Sequence, residues 1–399
     1  MNTMDRPIAR LRSTANGGFS LIEVLVSMGI TVSIMGATMQ TMTHAIRANQ
    51  AAMLVTGMNS SLRTGMDVMV RDMLQVGQGL PNGGVIFIPI GSQMNLPGPP
   101  GQSGVSGGTT STPYTTVAGD PDISAVTPGP GLGQKINGVR TDMLTTLAAD
   151  SAFDHRTLSA IAASGASMTV ALVQPDGSAS DISNGGPDDI VPGQLFLLTK
   201  GSTSTLVQVT SVDGAQTAFF ANGDSLNLNK PGAAAGSIGA LLATAPTDNP
   251  APRPAGFVPP TQATRIRMIS YYIDATTLTG APAPPRLVRR MNNGAGTTAS
   301  TVFNNKNGNT VAFDVDNLQI TYDLNDGVNN PSNVRMVAAD LAGTGACSPN
   351  PCTATQIRKV NIVLTSRSKV VLTSSGKYYH NTLNSQVSLR SLSFVDRYK

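Results

Sequence analysis

Glu23 is the side chain whose chemistry most needs a reason. It sits in Phe19-Ser20-Leu21-Ile22-Glu23-Val24-Leu25-Val26, and from Val24 to Ile46 no residue carries a formal charge. A carboxylate within a membrane helix costs about 2.5–3.5 kcal/mol on insertion scales, so it stands there for a partner or a function. Cys347 and Cys352 are the next candidates, flanking Ser348-Pro349-Asn350-Pro351. In an oxidising compartment such a pair becomes a disulfide. Closing so short a loop is worth about 2 kcal/mol in the chain-entropy view. A metal site is the alternative for this pair. It lacks a second Cys/His pair, and the nearest histidine is His380.

Other reactive groups form no set. His44, His155 and His380 lie far apart with no metal-ligand spacing, and neither H-E-x-x-H nor a P-loop occurs. Gly104-Val105-Ser106-Gly107-Gly108 fits G-x-S-x-G, but lacks the strand before and the helix after that a nucleophile elbow requires. Asp323-Leu324-Asn325-Asp326-Gly327 resembles half a calcium loop without the D-x-D-x-D-G spacing or the later Glu. A β-turn between strands accounts for it without an ion. No nucleophile and base can be paired, so the expectation is a protein that is not an enzyme and holds no cofactor and no metal.

The element that positions Glu23 is a helix. A polar leader with Arg6, Arg10 and Arg12 precedes the apolar run. About 20 apolar residues cross a bilayer as a helix, and the basic flank keeps the leader cytoplasmic while the rest crosses. The periodicity continues beyond the bilayer. Val55, Met58, Leu62, Met66, Met69, Met73 and Val76 recur at steps of three and four, which is one helix stripe. Arg63, Asp67 and Arg71 lie at i, i+4 on another face. Gly77-Gln78-Gly79-Leu80-Pro81 ends the helix. A helix over 19–76 would be about 85 Å long, apolar all round in its first half and amphipathic in its second. That pattern suits anchoring at one end and packing on a globular head at the other.

Gly17-Gly18-Phe19 with Glu23 resembles the type IV prepilin signature: a basic leader ending in Gly, then Phe, then an apolar helix with Glu at its fifth position. The resemblance implies that a prepilin peptidase cuts between Gly18 and Phe19 and that the new amine of Phe19 is N-methylated. It also implies that Glu23 neutralises the amino terminus of a neighbouring subunit in the filament. Opposite charges attract far more strongly among packed helices than in water. Two other readings of the segment are an ordinary signal peptide and a plain anchor. The first needs an A-x-A pattern, of which Gly36-Ala37-Thr38 is a poor version. The second leaves Glu23 unexplained.

The remaining chain reads as β structure with long loops. Charged residues are 13% and aromatics 4% of 399 residues, and Trp is absent, so the core must rest on aliphatic side chains and Met. The abundance of Gly (41) and Pro (26) favours turns around strands. Net charge is +4, a mild bias that a solvated surface explains, and no nucleic-acid partner is expected. The expected organisation is a leader over 1–18, the membrane or filament-core helix over 19–76, and a loop-rich region over 77–135. A β unit over 136–230, an Ala/Pro-rich linker over 231–263 and a C-terminal β-sheet region over 264–399 follow. Strands are expected at Val85–Ile88, Arg140–Leu147, Ser167–Val173, Gly193–Thr199, Ser204–Val212 and Gln216–Ala221. The second half adds Thr264–Asp274, Arg286–Arg290, Thr310–Tyr322, Val334–Ala338, Ile357–Thr365, Val370–Thr373 and Gln386–Val395. The alternation over Thr310–Tyr322 changes phase at Asp316-Asn317, which predicts a bulge or bend. The fold class is therefore α+β, a long pilin-type helix packed on a mainly antiparallel β-sheet head with long Gly/Pro-rich loops.

The second half is similar to large minor pilins of the PilW type and to the related minor pseudopilins of type II secretion. The residues carrying this are Val315–Tyr322, Arg358–Leu364 and Val387-Ser388-Leu389-Arg390-Ser391. The family often ends near Arg-Asn, whereas here Ser391 follows Arg390 and the chain continues to Lys399. The resemblance implies a minor pilin, built in at low copy at or near the tip, that primes or supports pilus assembly. Partners would be the prepilin peptidase, other minor and major pilins, the inner-membrane assembly platform and, before assembly, membrane lipid. The protein would begin as a single-pass inner-membrane protein with its head in the periplasm and end at the cell surface. The alternatives are a type II secretion pseudopilin, and a pilus-tip adhesin or DNA-uptake subunit.

Overall fold

A computed structural model of the chain describes residues 18–80, 85–88, 94–99, 122–151, 153, 156–162, 164–170, 189–200, 203–214, 216–232, 237–239, 262–275, 284–292, 308–371 and 376–392. The helix expected over 19–76 is α1 (Leu21–Gln75). Contacts divide the chain into two units, Met1–Leu54 and Val55–Lys399. In the first, every residue from Gly18 to Gln50 is exposed.

In the second unit the methionine stripe goes inward. Met58, Leu62, Met66, Met69, Met73 and Val76 are buried together with Tyr271, Leu287, Ala312 and Leu318. Arg63, Asp67 and Arg71 face solvent, as their spacing predicts. Unbranched methionines suit this seam because three rotatable bonds let them fill irregular gaps between a round helix and a twisted sheet. Gly65 marks the closest approach. A Cβ there would lie 2.8 Å from Cβ of Ala312 and 3.2 Å from Cδ2 of Leu287. Gly65→Val is expected to lower the unfolding free energy by about 1–3 kcal/mol through overpacking. Denaturant titration of the full chain in mild detergent reads this, and an unchanged midpoint would mean that the helix can back away from the sheet.

Polar clamps fix the helix between Asn59 and Asp72. The Arg289 guanidinium donates to Asp72, from Nε to Oδ2 at 2.6 Å and from Nη2 to Oδ1 at 3.2 Å. The Tyr271 hydroxyl donates to the same Oδ2. Burial, reinforced by the Asp72 carboxylate, pushes the Tyr271 phenol well above its ordinary range. At the other end Ser61 Oγ donates to the Phe313 carbonyl (3.0 Å) and accepts from its amide (2.9 Å), and Asn381 donates to Asn59. After α1, Gly77 adopts φ +77°, and a Cβ there would strike Leu392 at 2.7 Å.

The strands are β1 (Val85–Phe87), β2 (Asp122–Ser124), β3 (Val126–Gly129), β4 (Lys135–Ile136), β5 (Val139–Arg140) and β6 (Met143–Ala149). Next come β7 (Arg156–Ile161), β8 (Ser167–Val170), β9 (Leu195–Lys200), β10 (Thr203–Gln208), β11 (Ser211–Asp213) and β12 (Thr217–Phe219). The last are β13 (Gln262–Asp274), β14 (Arg286–Met291), β15 (Asn309–Phe313), β16 (Val315–Leu324), β17 (Ile357–Arg367) and β18 (His380–Ser388). Every pairing among the described strands is antiparallel. With the long helix this makes the fold α+β.

The spine of the larger sheet is β13. Its first residues pair with β9 and β7, and its later ones with β6 and β14. The sheet therefore draws strands from both strand-rich stretches of the sequence. A separate three-stranded sheet runs β16-β17-β18. Asp142 ties the two together. It accepts from the Gly131 amide (2.8 Å), the Ile320 amide (3.0 Å) and Arg335 Nη2 (2.7 Å). The bulge expected at Asp316-Asn317 is present, since Val315 pairs with Ser366 and Asn317 with Thr365, leaving Asp316 as the extra residue.

Several expectations need correcting. The strand placed at Arg140–Leu147 begins at Met143, because Thr141 and Asp142 are a buried link between β5 and β6. The one placed at Ser204–Val212 is two strands, β10 and β11. Val334–Ala338 is no strand: Val334 makes one bridge to Tyr322, Met336 turns to φ 59°, and Ala338–Leu341 is a short helix, α2. Val370 and Val371 lie outside any strand, and Thr373 lies outside the described residues. The closing strand is not Gln386–Val395. It starts earlier, at His380, and stops at Ser388 before a 3-10 turn at Arg390–Leu392. Within the loop-rich 77–135, Met94 and Leu96 are fully buried and Ile123 and Val126 are core residues on β2 and β3. Most of the 231–263 linker, the Gly104–Gly108 stretch and the leader before Gly18 lie outside the described residues.

Candidate functional site

The amino end of α1 is built around Ser20 and Glu23. Gly18, Phe19 and Ser20 precede the helix, and the Phe19 ring is 87% exposed. The Ser20 carbonyl accepts from the amides of Glu23 (3.0 Å) and Val24 (3.3 Å), so Ser20 is the N-cap. Glu23 Oε2 accepts from the Ser20 amide (3.0 Å) and hydroxyl (3.1 Å), and the Glu23 amide donates to Ser20 Oγ (3.3 Å). This reciprocal arrangement is a capping box. It gives the Ser20 amide an acceptor and adds a second one to the Glu23 amide. It is legible in Ser20-Leu21-Ile22-Glu23, a serine followed three residues later by a glutamate at the start of an apolar run. Both serine bonds fall on Oε2, which leaves Oε1 to take a donor from outside the helix.

Downstream the helix closes its own polar groups. The hydroxyls of Ser27, Thr31, Ser33, Thr38, Thr41 and Thr43 each donate to a carbonyl one turn back, at 2.7–2.9 Å. A segment in hydrocarbon must satisfy its polar groups internally, and these six do so. The segment is long and apolar enough to cross a membrane, with none of its best apolar window buried. Gly29 and Gly36 have open space where a Cβ would be, so a neighbouring helix could approach closely there.

Cys347 and Cys352 are joined in a disulfide. Asp340 organises the surrounding turns by accepting from the amides of Val337 (3.1 Å) and Ala346 (2.8 Å), while its own carbonyl accepts from the Cys352 amide (3.1 Å). Of the histidines, His44 is exposed on α1, His380 lies 3.1 Å from Asp316, and His155 is outside the described residues. No group of three metal-binding side chains occurs among the described residues.

In the half calcium loop the carboxylates already have partners. Asp326 accepts from the amides of Val328, Asn329 and Asn330, each at 2.8 Å. The Asn330 amide, with that of Val328, holds its carboxyl below the usual range. Asp323 accepts from the Asn333 amide (3.0 Å), Asn361 (2.9 Å) and Gln386 (3.0 Å). The loop is held by its own backbone and by cross-strand amides.

No family model, no curated protein and no solved structure matches the chain.

Proposed function

We propose that the protein is a minor subunit of a type IV pilus. It is made as a membrane-held precursor and trimmed by a prepilin peptidase between Gly18 and Phe19. Phe19 is then N-methylated, and the chain is built at low copy, at or near the tip, into a filament with other minor and major pilins. The inner-membrane assembly platform takes it from the bilayer. The observation that carries this reading is the amino end of α1. An acid with one oxygen committed to the helix cap and the other left over stands four residues after an exposed Phe, at the head of a helix whose apolar surface is uncovered. The periplasmic placing of 55–399 is supported by the Cys347–Cys352 disulfide, which needs an oxidising compartment. A head of this size would crowd a shaft of closely packed helices, which favours the low-copy position.

Mass spectrometry of the native protein tests the reading. The expected amino terminus is methylated Phe19. An intact Met1, or cleavage well downstream after an alanine, would overturn it.

A further inference from the structure

The three-stranded sheet is covered along one edge and open along the other. Beyond β16, the Leu318 carbonyl accepts from the Asp142 amide (2.9 Å) and the Ile320 amide donates to Asp142 Oδ2 (3.0 Å). Tyr322 exchanges both of its backbone bonds with Val334. Among the described residues, no segment pairs with the outer side of β18.

Two bonds fix which groups face that side. The Ser368 amide donates to the Tyr379 carbonyl (2.7 Å), and the Leu389 amide donates to the Arg358 carbonyl (2.9 Å). Both continue the register that pairs Arg367 with His380 and Lys359 with Ser388. In an antiparallel pair, bonded and non-bonded positions alternate. Residues 381, 383, 385 and 387 therefore bond to β17, and Thr382, Asn384, Gln386 and Ser388 aim amide and carbonyl outward. The Thr382 amide is taken by Asn381 Oδ1 (3.0 Å). Those of Asn384, Gln386 and Ser388 have no acceptor among the described residues.

This edge lacks the usual guards. Natural edge strands carry charges, prolines or bulges that discourage pairing. The run Asn381-Thr382-Leu383-Asn384-Ser385-Gln386-Val387-Ser388 has no charge and no proline, and its register with β17 never shifts. The strand is also held in place before anything docks. Thr382 bonds to Thr365, Gln386 bonds to Asn361 and Asp323, and Val387 is buried. A template already ordered loses little freedom on pairing.

Charge selects the kind of strand. Arg358, Lys359 and Arg390 stand at the 388 end, and Arg367, Lys369 and Lys377 at the 380 end, beside His380. The acids facing them are Asp323, opposite Lys359, and Asp314 and Asp316, near Arg367 and His380. Cations exceed acids at both ends. A second copy of β18 laid antiparallel would set basic end against basic end, which like-charge repulsion disfavours. A segment that is neutral in its middle and acidic at its ends is complementary.

We infer that the outer edge of β18, from Asn384 to Ser388, pairs with an extended segment of a different protein, acidic at its ends, which adds a fourth strand to this sheet. The inference goes beyond the pilus reading and stands without it.

Two measurements on the full chain test it. Hydrogen exchange in mild detergent, resolved to single amides, should find Leu383, Ser385 and Val387 slow and Asn384, Gln386 and Ser388 fast. Slow exchange at the last three in the isolated protein would mean that the chain covers its own edge, and the inference falls. A photoreactive residue at Ser388, in the cells that make the protein, should cross-link to a segment of another protein with Asp or Glu at its ends. Asn384→Pro removes an outward amide and leaves every bond to β17. It should lower the cross-link about tenfold, the worth of one or two edge hydrogen bonds, whereas Asn384→Ala keeps the amide and should not. Arg390→Glu with Lys377→Glu should lower it several-fold. Exchange at Leu383 and Val387 shows whether β18 stays paired in the proline variant; if it does not, the charge variant decides alone. A cross-link to a second copy of this chain, or to a segment without acids, overturns the inference. So does one that the deciding variant leaves unchanged, or none above that from a photoreactive residue at Val328, 74% exposed in the loop after β16.

Discussion

Asp150→Ala is expected to remove about 3–5 kcal/mol of stability, the cost of leaving a buried ion pair with one member. Asp150 follows β6 and Arg265 lies on β13, with both side chains 2% exposed. Arg265 reaches Asp150 Oδ2 through Nε and Nη2, both at 2.8 Å. Its guanidinium lies 4.4 Å over the Phe153 ring, and Arg267 Nε is 3.9 Å from the other carboxylate oxygen. The Asp150 amide also donates to the Arg265 carbonyl (2.9 Å), which extends the β6–β13 pairing by one residue. Losing the carboxylate leaves a guanidinium in an apolar setting without the Asp150 charge, and desolvation there exceeds anything a surface pair contributes. Urea titration of the full chain in detergent, followed by tyrosine near-ultraviolet circular dichroism, should show a lower midpoint at unchanged slope. Tyr271 and Tyr272 on the same strand are the probes. The double change Asp150→Leu with Arg265→Met should recover most of the loss, because buried pairs are often replaceable by apolar side chains of similar volume. A single change within error of the parent would mean that water reaches the pair.

The contrast between β13 and α1 explains what the sequence could reveal. The stripe from Val55 to Val76 was legible because a helix repeats its environment every 3.6 residues, so burial writes a period into the chain. The bulge at Asp316 was legible for the same kind of reason, since one extra residue flips the two-residue alternation. β13 was recognisable as a strand but not as the spine. Twelve of its thirteen residues avoid full exposure, Arg265 and Ser270 included, and a strand covered on both faces has no alternation that tells its partners apart. Polar residues inside it signal nothing until Asp150 is brought beside them from 115 positions away. Composition misled in the Gly/Pro-rich stretch. The Gly98 carbonyl accepts from the buried Arg290 at 2.8 Å, so residues 94–99, the described part of that stretch, pack into the core. At the amino end Ser20 and Glu23 spell a capping box, whose local hydrogen bonds are readable without any tertiary knowledge.

That capping box sharpens the second large expected effect. If the protein is the pilus subunit proposed above, Glu23→Gln should leave the helix start intact and abolish entry into filaments. Glutamine serves the third helical position of a capping box as glutamate does, so the bonds to Ser20 survive and only the charge is lost. At the helix end that charge is worth about 0.3–1 kcal/mol at an exposed site. Opposite unit charges 4 Å apart attract by about 4 kcal/mol at an effective dielectric of 20. If Glu23 meets the amine of a neighbouring Phe19, the second figure governs assembly and the first is minor. Ser20→Ala makes the complementary change, removing the hydroxyl's part in the cap while keeping the carboxylate, and filaments should still form. Glu23→Ala removes both and should fail like Glu23→Gln. Immunoblots of sheared filaments against membranes read all three, with membrane levels and methylated Phe19 controlling for insertion and processing. Should Glu23→Gln reach the filaments as the parent does while Ser20→Ala does not, the acid serves the helix alone, and the pairing with a neighbouring amine falls.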